Sequence, residues 1–213
     1  MHKNISNLEH IKKKLENHHK AKIIAVSKTF SSEKIIPLLD YGHKDFGENK
    51  VQEALEKWPE LKERYKDINL HMIGRMQTNK VKFLFPHFDY MHSLDSIKLA
   101  EKISKEELKN QKKLKIFIQV NLGNEDNKSG VSVANLPDLY EKSVNIFNLD
   151  IIGLMCIPPM NKPASHYFKD LKNLNEIHNL NDLSMGMSED YLDAANSGAT
   201  YLRIGSKIFG SRN

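Results

Sequence analysis

The chain has a single cysteine, Cys156, so no internal disulfide is available and a reducing compartment is expected. It has no apolar run near the roughly 20 residues that span a bilayer. The first residues, MHKNISNLEHIKKKLENHH, carry charge throughout and no apolar h-region, so neither a signal peptide nor an anchor is read there. A cytoplasmic, membrane-free protein is the expectation. Arginine is scarce beside lysine, and no Arg-rich arm or aromatic-basic alternation occurs. Nucleic acid is therefore not the expected partner, despite a net charge of +5. There is no G-x-G-x-x-G turn, no His and carboxylate pair beside a nucleophile, and no His/Asp/Glu cluster with metal-ligand spacing. Nucleotide-binding open sheets, triad hydrolases and metalloenzymes lose their usual marks.

What is present is an alternation of short apolar runs with helical patterns. KIIAVSK (22–28), DFGE (45–48), NLHMIG (69–74), DYMHSLD (89–95), KIFIQVNL (115–122), DIIGLMCI (150–157), DLSMGMS (182–188) and TYLRIG (200–205) read as eight strands. They are continuous rather than alternating, as strands buried on both faces are. Eight parallel strands in 213 residues predict one α/β domain over 1–213, a closed (β/α)₈ TIM barrel. A doubly wound open sheet is the alternative. Ser31-Ser32 offer a cap for a helix ended by Gly42, and Pro59 is expected to stop the helix NKVQEALEKW. Ser6 and Glu9 read as a capping box on an N-terminal helix. Little sequence follows the eighth strand, so that first helix is expected to close the seam of the barrel.

The active face of such a barrel lies at the C-terminal ends of its strands. Lys28 ends the apolar run Ile23-Ile24-Ala25-Val26, an odd place for an amine unless the amine is used. Ser188 precedes a helix after the seventh strand, and RIGS (203–206) places Gly205 and Ser206 after the eighth. Barrels of this type often hold a phosphate in those two loops, where helix N–H groups point outward. A lysine facing a phosphate cup fits an aldehyde with a phosphate handle, pyridoxal 5'-phosphate. An unprotonated amine is needed for a Schiff base, and a nearby cation such as Arg203 favours it. His71 and His92 lie within apolar strands and read as hydrogen-bonded core groups rather than ligands.

The ordered motifs AVSK, FGEN (46–49), HMIGRMQTNK (71–80), NKSG (127–130), GLMCI (153–157), SMGMSED (184–190) and RIGSKIFG (203–210) resemble the YggS/PROSC family of pyridoxal phosphate homeostasis proteins. The fold of that family is like the barrel domain of alanine racemase. The resemblance implies that Lys28 carries the Schiff base and that Ser188, Gly205 and Ser206 hold the phosphate. It implies that Arg203 partners the pyridine nitrogen and that Asn49 and Met155 line the pocket, with Lys128 a secondary contact. Many relatives carry a second lysine two positions on, as T-K-P; this chain has Thr29-Phe30-Ser31. The implied role is intracellular vitamin B6 homeostasis by a monomer that holds the cofactor and supplies apo-enzymes, not catalysis. Two alternatives stay open: a PLP-dependent amino-acid racemase, and a non-PLP barrel enzyme for a phosphorylated metabolite. A racemase needs a second base, and no tyrosine falls at a strand end.

Overall fold

The computed structural model describes residues 2–125, 129–159 and 162–211. The eight strands are β1 (Lys22–Val26), β2 (Asp45–Glu48), β3 (Asn69–Met72), β4 (Tyr90–Leu94), β5 (Lys115–Gln119), β6 (Asp150–Met155), β7 (Asp182–Ser184) and β8 (Tyr201–Ile204). All neighbours are parallel and the order is sequential. β1 pairs β8 with Lys22 opposite Tyr201 and Ala25 opposite Ile204, which closes the barrel. The open doubly wound sheet is excluded.

The helices are α1 (Lys3–Lys14), α2 (Ser32–Asp40), α3 (Val51–Arg64), α4 (Ile97–Asn110), α5 (Leu136–Glu141), α6 (Ala164–Ile177), α7 (Tyr191–Asn196) and α8 (Ser206–Phe209). A 3₁₀ turn, Thr78–Phe83, replaces a helix between β3 and β4. α1 lies over the seam as expected. Its Asn4 amide donates to the Lys34 carbonyl of α2, and its Asn7 amide to the Ile208 carbonyl of α8. Leu8 and Ile11 bury the inner face.

Four local expectations are corrected. The strands stop earlier than their apolar runs: β5 ends at Gln119 and β7 at Ser184, leaving Val120, Cys156 and Met185 buried in loops. α1 starts at Lys3 with the His2 ring accepting from the Asn4 N–H at 3.2 Å, so Ser6 and Glu9 are interior and form no capping box. Pro59 lies inside α3, which runs on to Arg64. An interior proline costs about 3 kcal/mol, while Trp58 and Leu61 on either side are buried and each contribute about 1.5–3 kcal/mol. Burial wins. Ser31 occupies the cap position of α2, but its side chain makes no bond to the helix.

Inside the barrel, alternate residues point to the axis. His71 stacks on Tyr90 with ring centres 4.2 Å apart, and His92 on Phe117 at 4.4 Å. These rings and Tyr201 fill the lower barrel, so chemistry is confined to the upper mouth.

Candidate functional site

A cavity of about 630 Å³ opens at the C-terminal ends of the strands. Lys28, Asn49, Ser188, Arg203, Gly205 and Ser206 all line it. Met155 does not. Its side chain is fully buried in the barrel interior among Ile24, Tyr90, Phe117 and Tyr201, which corrects its expected place in the pocket wall. Lys128 lies outside the described residues. Gln119, Arg75 and Met187 also line the cavity and were missed. Gln119 carried a signal: it is the polar residue that ends the apolar run of β5.

Lys28 projects from a tight turn after β1, closed by the Phe30 N–H donating to the Ser27 carbonyl at 3.2 Å. Thr29 takes φ 69°, the left-handed region that a β-branched residue seldom enters. Charges from α3 and β2, of which Lys57 and Glu48 are buried and Glu53 is half-buried, hold it there. The Thr29 N–H donates to the Glu53 carboxylate. The Lys57 ammonium donates to the carbonyls of Ser27 and Phe30, each at 3.2 Å. It also pairs with Glu53 at 3.0 Å and with Glu48 at 2.9 Å. Glu48, fully buried, accepts from the Ser27 hydroxyl at 2.7 Å and the Trp58 indole at 3.1 Å. Burial pushes the Glu48 carboxyl above its usual range, opposed by Lys57 and these donors. Phe30 is buried and stacks on Phe209 at 5.0 Å.

Across the mouth, the loops after β7 and β8 are joined by the Lys207 N–H donating to the Ser188 hydroxyl at 3.4 Å. Gly205 caps α8, and a Cβ there would meet only Val26, at 3.4 Å. Protein packing alone does not demand glycine at this point. Gly74 differs, since a Cβ would fall 2.2 Å from the Asn49 carbonyl; its glycine lets β2 and β3 loops meet at the cavity wall.

Arg203 is buried and forms the cavity floor. Its guanidinium donates to the Ser184 hydroxyl at 2.7 Å and the Cys156 carbonyl at 2.9 Å. It makes no ion pair among the described residues. Burial lowers its pKa, yet a guanidinium stays protonated. Burial also raises the Cys156 thiol to about 12, so it stays a neutral thiol, not a nucleophile. Behind Arg203, the Ser184 hydroxyl meets His92 Nδ1 at 2.7 Å, and His92 Nε2 meets His71 Nδ1 at 3.0 Å. Burial lowers both imidazoles, and both are neutral. They are core groups, as expected from the sequence. Among the described residues no three His, Cys, Asp or Glu side chains are grouped to hold a metal.

A second cavity of about 660 Å³ shares Asn49 and Arg75 with the first and is lined by Gln77, Thr78 and Lys80. That is where the RMQTNK part of the third motif falls.

A closed parallel barrel with a lysine after its first strand and paired serines after its last two belongs to the alanine racemase N-terminal domain class, which the sequence matches over residues 3–213. Among curated proteins, the pyridoxal phosphate homeostasis protein of Aquifex aeolicus is 42% identical over 201 residues, covering 90% of this chain and 87% of that one. The Escherichia coli protein of the same name is 32% identical over 203 residues, covering 90% and 86%. This chain belongs to the pyridoxal phosphate homeostasis protein family. The solved structure of PipY from Synechococcus elongatus with PLP bound superposes with a TM-score of 0.89 at 31% identity, covering 97% of this chain and 100% of that chain. Alanine racemase of Corynebacterium glutamicum, at 13% identity and TM-score 0.72, shares the fold alone, with 61% of its length covered.

Proposed function

We propose that this protein holds pyridoxal 5'-phosphate in the upper cavity as a cofactor carrier within vitamin B6 homeostasis. The observation that carries the reading is the meeting of Lys28, Arg203 and the Ser188–Gly205–Ser206 rim in one cavity. The names of the relatives and the PLP-bound PipY structure support it. The residues fit the group. Gly205 lines the cavity with bare backbone that a phosphate can approach, the Ser188 and Ser206 hydroxyls stand beside the first turn of α8, and the Arg203 cation is fixed on the floor. When bound, the cofactor supplies an aldehyde that a lysine amine captures reversibly with loss of water. The chain's own part is to present the Lys28 amine from a rigid turn, to accept the phosphate on the rim, and to offer the Arg203 cation to the pyridine nitrogen. Asn49 forms part of the side wall.

We read the role as non-catalytic, in a monomeric cytoplasmic protein that supplies apo-enzymes. A racemase needs a base on each face of the cofactor. No tyrosine lines this cavity among the described residues, and the tyrosines of the barrel interior, Tyr90 and Tyr201, begin their strands at the opposite end.

Borohydride treatment of the cofactor-loaded protein will fix a label on Lys28, read by peptide mass mapping. A label confined to other lysines sinks the site. Deuterium exchange at Cα of D- and L-alanine will match that of a Lys28→Ala control. Lysine-dependent exchange at about 1–10³ per second, the range of ordinary enzymes, reinstates the racemase.

A further inference from the structure

The buried polar chain behind Arg203 has a direction. Arg203 only donates, so the Ser184 oxygen accepts from it at 2.7 Å. The Ser184 hydroxyl then donates to His92 Nδ1 at 2.7 Å, leaving His92 Nε2–H to donate to His71 Nδ1 at 3.0 Å. His71 Nε2–H donates to Asp45 Oδ1 at 3.1 Å. Each neutral imidazole is thereby held as its Nε2–H tautomer. Asp45 stands at the start of β2, at the end of the barrel away from the cavity. It also accepts from the Asn69 amide at 3.1 Å. Burial pushes its carboxyl up, but the His71 and Asn69 hydrogen bonds outweigh this and hold it below the usual range, so it is a carboxylate.

We infer that Asp45 is a positioning residue for the cofactor ring, acting on Arg203 through His71, His92 and Ser184. A carboxylate can only accept from His71, so the whole line must run outward from Arg203. Were the imidazoles reversed, His92 Nδ1–H would point at Ser184, and the hydroxyl hydrogen would have no acceptor in that line. Arg203 would keep its charge but share an acceptor already occupied, and its plane would loosen. The sense of Ser184, His92 and His71 is therefore fixed at both ends of the line, by Arg203 and by a carboxylate remote from the ligand. This inference rests on the proposed seating of a pyridine nitrogen against Arg203.

The discriminating substitution is Asp45→Asn. The amide keeps an oxygen for His71 but also offers an N–H, so the line can run either way. In cofactor-free protein labelled with ¹⁵N, unmodified His71 and His92 will each show a protonated Nε2 and a bare Nδ1, with Arg203 N–H signals resolved. Asp45→Asn will give averaged tautomers at both rings and broadened Arg203 signals. In cofactor titrations it will weaken pyridoxal phosphate about three- to tenfold, the scale of network couplings. A ring analogue with CH in place of the pyridine nitrogen will show no such loss. Unmodified protein with either ring in the Nδ1–H form, or Asp45→Asn with unchanged tautomers, overturns the inference even if the variant folds poorly. An equal loss for the CH analogue overturns it too. Failure of unmodified protein to bind the cofactor would fall on the proposed function, while the tautomers still decide the direction of the line.

Discussion

Replacing Lys57 by methionine will lower folding stability by about 3–5 kcal/mol, because it leaves the Glu48 carboxylate buried without its partner. Glu48 is wholly enclosed, and among the described residues one of its oxygens lacks a hydrogen-bond partner and Lys57 is the cation that pairs with it, at 2.9 Å. The same substitution frees the carbonyls of Ser27 and Phe30, so the Lys28 turn loosens with the core. The sign of the pH dependence follows from Glu48. Its folded-state pKa is already raised by burial, and removing Lys57 raises it further. The folded state then binds a proton that the unfolded state gives up, so stability falls as pH rises from the unfolded value towards the folded one. The deficit of the variant will accordingly be smaller at pH 5 than at pH 8, measured by urea denaturation at each pH. Adding Glu48→Gln will recover part of it. A deficit independent of pH would mean that Glu48 carries no charge in the fold.

Removal of the rim hydroxyls will produce the largest change in ligand binding. On the proposed seating of the phosphate, Ser188→Ala or Ser206→Ala deletes a hydrogen bond to a charged group, worth about 1.5–3 kcal/mol, so pyridoxal phosphate will bind roughly ten- to hundredfold more weakly. Pyridoxal, without the phosphate, will bind poorly to the unmodified protein and will not distinguish it from either variant. Calorimetric titration of both vitamers against the three proteins is the measurement. Equal affinities for the two vitamers would remove the phosphate from the rim. Ser188 has a structural bond as well, from the Lys207 N–H, so Ser206 is the cleaner of the two variants.

The barrel was legible because parallel strands bury both faces and so appear as uninterrupted apolar runs. The same property hid their ends. Val120, Cys156 and Met185 are as buried in loops as their neighbours are in strands, and hydrophobicity does not fall where pairing stops. Met155 was placed at the pocket by the resemblance alone; it ends β6 and its side chain packs inward among Ile24, Tyr90, Phe117 and Tyr201. That Lys28, Ser188 and Gly205 line one cavity was legible because each follows a strand whose place the topology dictates, Lys28 by ending an apolar run and the other two by opening a turn or helix. The charges holding the Lys28 turn were not. Glu53 and Lys57 look like an ordinary solvated pair four apart on a helix. Only the packing of α3 against the turn after β1, more than twenty residues earlier, turns them inward. Likewise, only barrel closure brings His92 to Ser184, 92 positions apart.

The pairing of β1 with β8 also governs how the chain comes to be folded during synthesis. Lys22 and Tyr201, which meet across that seam, are 179 residues apart. At roughly 5–20 residues per second, about 10–40 s separate the synthesis of the first strand from that of its last neighbour. Through that interval β1 keeps an unpaired edge, the kind of surface on which nascent chains associate. α1 can dock early on α2 through Asn4 and the Lys34 carbonyl, but the carbonyl that anchors its Asn7 across the seam belongs to Ile208 and is made later still. The seam therefore closes only after β8 has been made, and until then the free edge of β1 is a surface on which copies of the chain can associate.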